Sequence, residues 1–314
     1  MQDIIAPVAP ELIEKELTPE LFLRRANNGG TDIYHFTAAQ APNTMRELGR
    51  LREEAFRDAG GGTGLEMDID AFDTSDHPYH QLIVWDPVER LILGGYRYII
   101  PSREGFSLED MATYELFDFS QEFIDDYLPK TIELGRSFVT VAYQGTKLRR
   151  KGMYALDNLW DGLGAILKLN PGIEYFFGKV TMYTNYNPEA RNALMYFLNK
   201  RFPDKDRLVF PREPLEMNMN LVKLAKLFCG KTFREDFERI VSETHRLGER
   251  VPPLIKSYMN LSATLRVFGT SINPEFGGVE ETGILVTVDD IHEDKKERHI
   301  DTFNPDHGMR MGIS

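Results

Sequence analysis

The chain has 314 residues, enough for one large domain or two small ones, and its 42% hydrophobic content excludes disorder for most of its length. Its 37 Lys+Arg against 49 Asp+Glu leave a formal charge of −12, which argues against general nucleic-acid binding but not against a local basic patch. The single cysteine, Cys229, excludes an internal disulfide and any multi-cysteine zinc site, and no apolar stretch approaches the roughly 18 residues of a spanning helix.

The opening MQDIIAPVAPEL has no basic or apolar signal region. With the lone thiol, this gives the expectation of a cytoplasmic protein, with peripheral contact at the inner membrane left open. Asn27 to Gly30 reads as a turn, and Asp32 to Thr37 as a short strand. Asn43 is placed to cap a helix that runs to the glycines at 60–62. Gln81 to Trp85 and Leu91 to Ile100 read as a hairpin opened by Asp86 and Pro87. An acidic segment, 104–126, precedes a strand from Ile132 to Val139. The spacing of Leu156, Leu159, Trp160, Leu163, Ile166 and Leu167 predicts a helix over 148–169, stopped by Pro171 and Gly172. Tyr175 to Met182 is a strand, and Pro188 opens a helix to Lys200. Met219 to Leu247 reads as a charged helical hairpin or a long broken helix, and Pro252 and Pro253 start another helix to about Leu261. Strands are expected at 264–268 and 284–288. From Ile291 the polar HEDKKERHID reads as a solvated tail of low order. The order of elements predicts a mixed α/β (α+β) fold: a single domain over 1–290 with a helical insertion at about 215–250, then a polar tail over 291–314.

Motifs for several chemistries are absent. There is no G-x-S-x-G, no Walker A loop, no G-x-G-x-x-G, no H-E-x-x-H, and no histidine followed five residues on by aspartate. No metal site is expected. What stands out are charges where charges are costly. Glu133 and Arg136 lie in the apolar strand IELGRSFV, Arg97 ends the run GGYR, Arg52 sits one helical turn before Phe56, and Asp70 and Asp73 flank Ala71 and Phe72. Three apart on a strand, Glu133 and Arg136 point to opposite faces unless a bulge re-aims one. Two readings follow: a structural ion-pair network, or a charged pocket for a zwitterionic or carboxylated substrate.

Arg52-x3-Phe56, the D-x-x-D of Asp70 and Asp73, GGYR ending at Arg97, and ELGR from Glu133 to Arg136, in that order, resemble one branch of the GNAT N-acyltransferase superfamily. That branch holds acyl-homoserine-lactone synthases and the N-acyltransferases that begin ornithine- and glycine-lipid synthesis, and some members carry a hemolysin label. The match runs over about residues 46–290. YFFGKVTMYTNYNPEARNALMYF and PPLIKSYMNLSATL resemble the amino-acid-lipid members.

The resemblance implies a mostly antiparallel sheet, flanked by helices, that splays open between IELGRSFV and YFFGKVTM and admits the donor's pantetheine arm. Amides around Ser137, Phe138 and Val139 would polarise the thioester. Glu133 would be the general base, directly or through water. Arg136, Arg97 and Arg52 would bind the acceptor's carboxylate or hold the acids in place. Asp70 and Asp73 would attract the acceptor's ammonium or orient the arginines, with Phe56 beside them in the substrate site. Members that use coenzyme A carry R/Q-x-x-G-x-G/A before the long helix, where amides grip the pyrophosphate. Here Arg149-Arg150-Lys151-Gly152-Met153 ends on Tyr154, which favours a donor without the nucleotide, acyl-phosphopantetheine on acyl carrier protein, and no bound cofactor. Lys147, Arg149, Arg150 and Lys151 would dock that acidic partner, or form only a solvated helix start. The segment RDAGGGTGLEMDI lacks the tryptophan of the lactone synthases. Their activity therefore stands second, and a non-catalytic membrane-surface protein third. LVKLAKLF at 221–228 fits either a bilayer surface or core packing.

Overall fold

The computed structural model describes residues 1–101, 105–144 and 149–305, the side chains of 149–153 excepted. Helix α1 (Pro10–Glu16) is followed by strands β1 (Phe22–Arg25) and β2 (Asp32–Phe36), then by α2 (Pro42–Ala59). The capping role expected of Asn43 falls to Glu16, whose carboxylate accepts from the amides of Asn43 (2.9 Å) and Thr44 (2.7 Å). Gly60, at φ 100°, ends α2 in the left-handed conformation. The short α3 (Ala71–Thr74) leads to the hairpin β3 (His80–Asp86) and β4 (Leu91–Ile99), then β5 (Phe117–Phe119) and β6 (Thr131–Val139). Helix α4 (Arg149–Leu169), β7 (Tyr175–Met182), α5 (Pro188–Arg201) and β8 (Val209–Pro211) follow. The charged stretch after them is the helical hairpin α6 (Leu221–Leu227) and α7 (Phe233–Arg246). Its break is pinned by the buried Asp236, which accepts from the Gly230 amide at 2.8 Å and pairs with Lys200 at 3.2 Å. The chain closes with α8 (Pro253–Met259), β9 (Arg266–Asn273), β10 (Val279–Thr287) and α9 (Glu293–His299).

Eight strands form one sheet in the order β1-β2-β3-β4-β6-β7-β10-β9, every described pair antiparallel except β6 with β7. The apolar stripe of α4 covers one face, packing Leu159, Leu163 and Ile166 on Leu82, Tyr96, Leu134 and Phe176. On the other face α2 sets Leu48, Ala55 and Phe56 against Ile83, Phe138 and Phe276. The separate ribbon of β5 and β8, too short to be expected from sequence, pairs Phe117 with Pro211 and Phe119 with Val209.

Two expectations need correction. The last two strands are longer than predicted and form a hairpin from Arg266 to Thr287. Over residues 291–305 the chain is not a low-order tail: Ile291 is buried, and α9 docks on α4. His299 Nδ1 lies 2.7 Å from Asp161 Oδ1, Asn27 donates to the Arg298 carbonyl at 2.7 Å, and Arg24 donates to Thr302 Oγ1 at 3.3 Å. Gly164 permits the contact, since a Cβ there would meet the His299 carbonyl at 2.1 Å.

The functional geometry comes from the parallel pairing of β6 with β7. β6 and β7 are in register from Thr131 opposite Tyr175 to Leu134 opposite Gly178, and no further, although both strands continue. A Cβ on Gly178 would meet the Leu134 carbonyl at 2.6 Å, so glycine allows the close final rung before the strands part.

Candidate active site

The buried stripe of α2 carries Arg52, with its side chain 0% exposed. Arg52 donates to Asp73 at 3.2 Å and to the Gln81 side-chain carbonyl, and the Gln81 amide donates back to Asp73 at 2.9 Å. Asp73 is held in place by a reciprocal capping box with Asp70 across α3. Arg97 then bridges Asp70 (2.7 Å) and Asp73 (3.4 Å), and Arg136 bridges Asp70 (3.2 Å) and Asp68 (2.8 Å). Three arginines and three aspartates therefore alternate along one chain of contacts. Burial raises Asp73, yet Arg52 and Arg97 hold its carboxyl well below the usual range. Burial lowers Arg97, but Asp73 and Asp70 more than restore it.

Arg136 reaches this network because of a bulge. The register passes from Arg97 opposite Gly135 to Gly95 opposite Phe138, so Arg136 and Ser137 together oppose the single Tyr96. Arg136 sits at φ 48°, and its guanidinium lies 4.4 Å from the Phe276 ring centroid.

Glu133 lies outside the ion pairs. It is 1% exposed, its Oε1 accepts from the Thr113 amide at 3.0 Å, and among the described residues its Oε2 has no hydrogen-bond partner. Burial pushes it up to about 7, against the opposing pull of the Tyr79 hydroxyl, the Thr113 amide, Arg97 and Lys179. A carboxyl in that range exchanges protons near neutral pH.

A cavity of about 1020 Å³ opens where β6 and β7 part. On the α2 side it is walled by Phe56, Arg136, Phe276, Lys179, Thr181 and Glu281. On the α4 side the wall is mostly apolar, from Tyr96, Leu134, Leu156, Val251, Leu254 and Tyr258. The helical hairpin supplies part of the rim through Val241 and Thr244. Of the residues singled out in the sequence, Phe56, Arg136, Ser137, Phe138 and Val139 line the cavity. Arg52, Asp70, Asp73 and Arg97 form the ion-pair network behind it, and Glu133 is buried on the strand beside it without lining it. Lys147 and the side chains of Arg149, Arg150 and Lys151 lie outside the described residues.

Several site residues went unnoticed in the sequence. Asp68 is the first acid of DIDAFD, two residues before Asp70. Lys179 is a charge inside the apolar YFFGKVTM, the same signal that marked Glu133 and Arg97. Glu281 belongs to a strand whose start was placed too late. Tyr183, raised to about 12 by burial and by the charge of Glu281, stays protonated in the cavity wall.

Residues 51–151 match the model of the acetyltransferase (GNAT) domain. A glycine N(alpha)-acyltransferase from Bacteroides thetaiotaomicron is 54% identical over 98% of this chain and 92% of its own. One from Phocaeicola vulgatus is 49% identical over 100% of this chain and 97% of its own. The chain belongs to the GNAT N-acyltransferase family. Among solved structures, an acyl-CoA N-acyltransferase from Pseudomonas aeruginosa aligns over 48% of this acyltransferase and 79% of that chain, at 17% identity and a TM-score of 0.30. The branch of GNAT enzymes expected from Arg52, Asp70, Asp73, Arg97, Glu133 and Arg136 is the one in which this acyltransferase stands. Among the described residues no helix is long and apolar enough to cross a membrane.

Proposed function

We propose that this acyltransferase moves a fatty acyl group from acyl carrier protein to the amine of glycine, the first step of glycine-lipid synthesis. The observation that carries the reading is the cavity at the parting of β6 and β7, apolar on one side and charged on the other. An acyl thioester needs the first side and an amino acid the second. Both curated relatives are named for glycine as acceptor, and the identity spans nearly the whole chain.

The amine must lose a proton before it attacks the thioester carbon. Glu133, raised to about 7, takes that proton directly or through water. The nitrogen adds to the carbonyl, the oxyanion is stabilised by amides around Ser137 to Val139, and collapse forms the amide bond and expels the thiol. Arg136 faces the cavity and is held by Asp68 and Asp70. Tyr154, at the position where nucleotide-binding members keep a small residue, supports carrier protein as donor. At a net charge of −12 the whole molecule repels an acidic partner, so docking must use a local patch, and Lys147, Arg149, Arg150 and Lys151 supply one. Contact with the inner membrane fits a lipid product.

The test is purified protein with 3-hydroxyacyl-acyl carrier protein or acyl-CoA, and with glycine, ornithine, serine or S-adenosylmethionine, read by mass spectrometry. N-acylglycine from the carrier-protein donor is expected. A homoserine lactone, or turnover with acyl-CoA alone, overturns the corresponding half of the reading. Charge reversal of the four basic residues should raise the KM for acyl carrier protein and leave the KM for glycine unchanged.

A further inference from the structure

We propose that Lys179 and Glu281 recognise the acceptor as a zwitterion, the Lys179 ammonium taking its carboxylate and the Glu281 carboxylate its amino group. The inference deepens the reading of an amino-acid acceptor and rests on it.

Placement is the first argument. Lys179 is the β7 residue immediately after Gly178, the last rung shared with β6. Thr181 stands directly opposite Glu281 and Lys179 opposite Gly283, so these side chains share one face of the β7–β10 pair. Lys179, Thr181 and Glu281 all line the cavity, at the apex of the parting strands.

The second argument is how the two charges are held. Their side chains are 12% and 2% exposed, a setting in which a charge is costly unless well paired. Yet Lys179 Nζ and Glu281 Oε1 are 3.5 Å apart, longer than the roughly 2.7–2.9 Å of a good charge-assisted hydrogen bond. Thr181 Oγ1 donates to Glu281 Oε2 at 3.0 Å, which fixes the carboxylate plane and leaves Oε1 directed at the lysine. The contacts of the Arg–Asp network nearby run from 2.7 to 3.4 Å, whereas this pair is longer and opens on the cavity.

The third argument is charge conservation. A site holding one cation and one anion, with little water to screen them, accepts a ligand that replaces each partner by its like. A zwitterion does so: its carboxylate substitutes for Glu281 beside the lysine, and its ammonium for Lys179 beside the glutamate. A simple amine or a simple acid leaves one protein charge without its partner. Glu133 lies on the same face two strands from Glu281 and feels the charge of Lys179, so the acceptor site and the base share one face of the sheet.

The test compares glycine with glycinamide, which keeps the amine and lacks the anion, using acyl thioesters of both carrier protein and coenzyme A. Wild type should prefer glycine by about tenfold or more in kcat/KM, the size of one charge-assisted contact. Lys179→Met should bring the two acceptors to within about twofold, with Lys179→Arg restoring most of the preference. Glu281→Gln should raise the glycine KM about tenfold at an unchanged donor KM. The acceptor ratio comes from a single preparation, so incomplete folding cancels out of it. A wild-type ratio and glycine KM in both Lys179→Met and Glu281→Gln overturn the recognition role and leave N-acylation standing. A wild-type protein that acylates no amino acid from either donor overturns both.

Discussion

Two groups of buried charge share one face of the sheet, and they differ in how completely they are balanced. Arg52, Arg97 and Arg136 alternate with Asp73, Asp70 and Asp68, cation against anion, at contacts of 2.7–3.4 Å. Toward β10, Glu133 has an oxygen without a hydrogen-bond partner among the described residues, and Lys179 and Glu281 face each other at 3.5 Å. The first group has little left to offer a substrate, since its charges are mutually engaged. The second keeps chemistry available because its charges are not. In a buried site, charges matched cation to anion build a scaffold, and charges left loosely matched store reactivity.

The largest expected effect strikes the scaffold. Arg52→Met removes one cation from the closed chain and leaves Asp73 and Gln81 short of a donor. Breaking a buried pair from one side costs about 3–5 kcal/mol, a large part of ordinary domain stability. Chemical denaturation should show a midpoint shifted far down, or no cooperative transition; an unmoved midpoint would erase the contrast between the two groups.

Next comes the reactive side. Glu133→Gln keeps shape and burial but removes the base, so kcat should fall roughly 10²–10⁴-fold while the fold survives. In wild type, kcat/KM for glycine should rise with pH through about 7, as Glu133 ionises, and this limb should vanish in the variant. A fully active Glu133→Gln protein would remove Glu133 from the chemistry.

The smallest effect is a linkage. Glu133 has its pKa raised from 4.5 to about 7 on folding, so the folded protein holds the proton more tightly than the unfolded chain. Its contribution to stability is complete below about 4.5 and is lost as pH rises toward about 7. Glu133→Gln should therefore be more stable than wild type at pH 8 and nearly equal to it at pH 4, measured by thermal melts at both values. Equal melting at both would show that the carboxyl is not strained in the folded state.

Most of the scaffold was legible in the sequence. A charge inside an apolar strand or on a helix's buried stripe is rare enough to mark Arg52, Arg97, Glu133 and Arg136 without coordinates. What joined them was not legible. Arg136 faces its aspartates only through the extra residue opposite Tyr96, and that register belongs to the pairing of β4 with β6 rather than to either strand alone. Asp68, not Glu133, is the third anion, because its amide is fixed on the Gly49 carbonyl of α2 at 2.9 Å and its carboxylate pairs with Arg136. Lys179 carries the same signal as Glu133, a charge inside an apolar strand, but no neighbouring motif marks it. The order of α9 escaped because its residues are polar almost all round. Its anchor is one histidine held by an aspartate 138 positions away, which local periodicity cannot register.

That anchor bears on how the protein is made. Asn27 binds the carbonyl of Arg298 and Arg24 binds Thr302, so the first strand pair is tied to nearly the last described residues. A chain emerging N-terminus first holds these partners apart until the 271 positions from Asn27 to Arg298 have been made. The edge of the sheet at β1 must wait, unsecured, while the middle of the molecule assembles. Residues 291–305 thus act as a late clasp on that edge, and a ribosome stalled before them would display a sheet whose first edge is still undone.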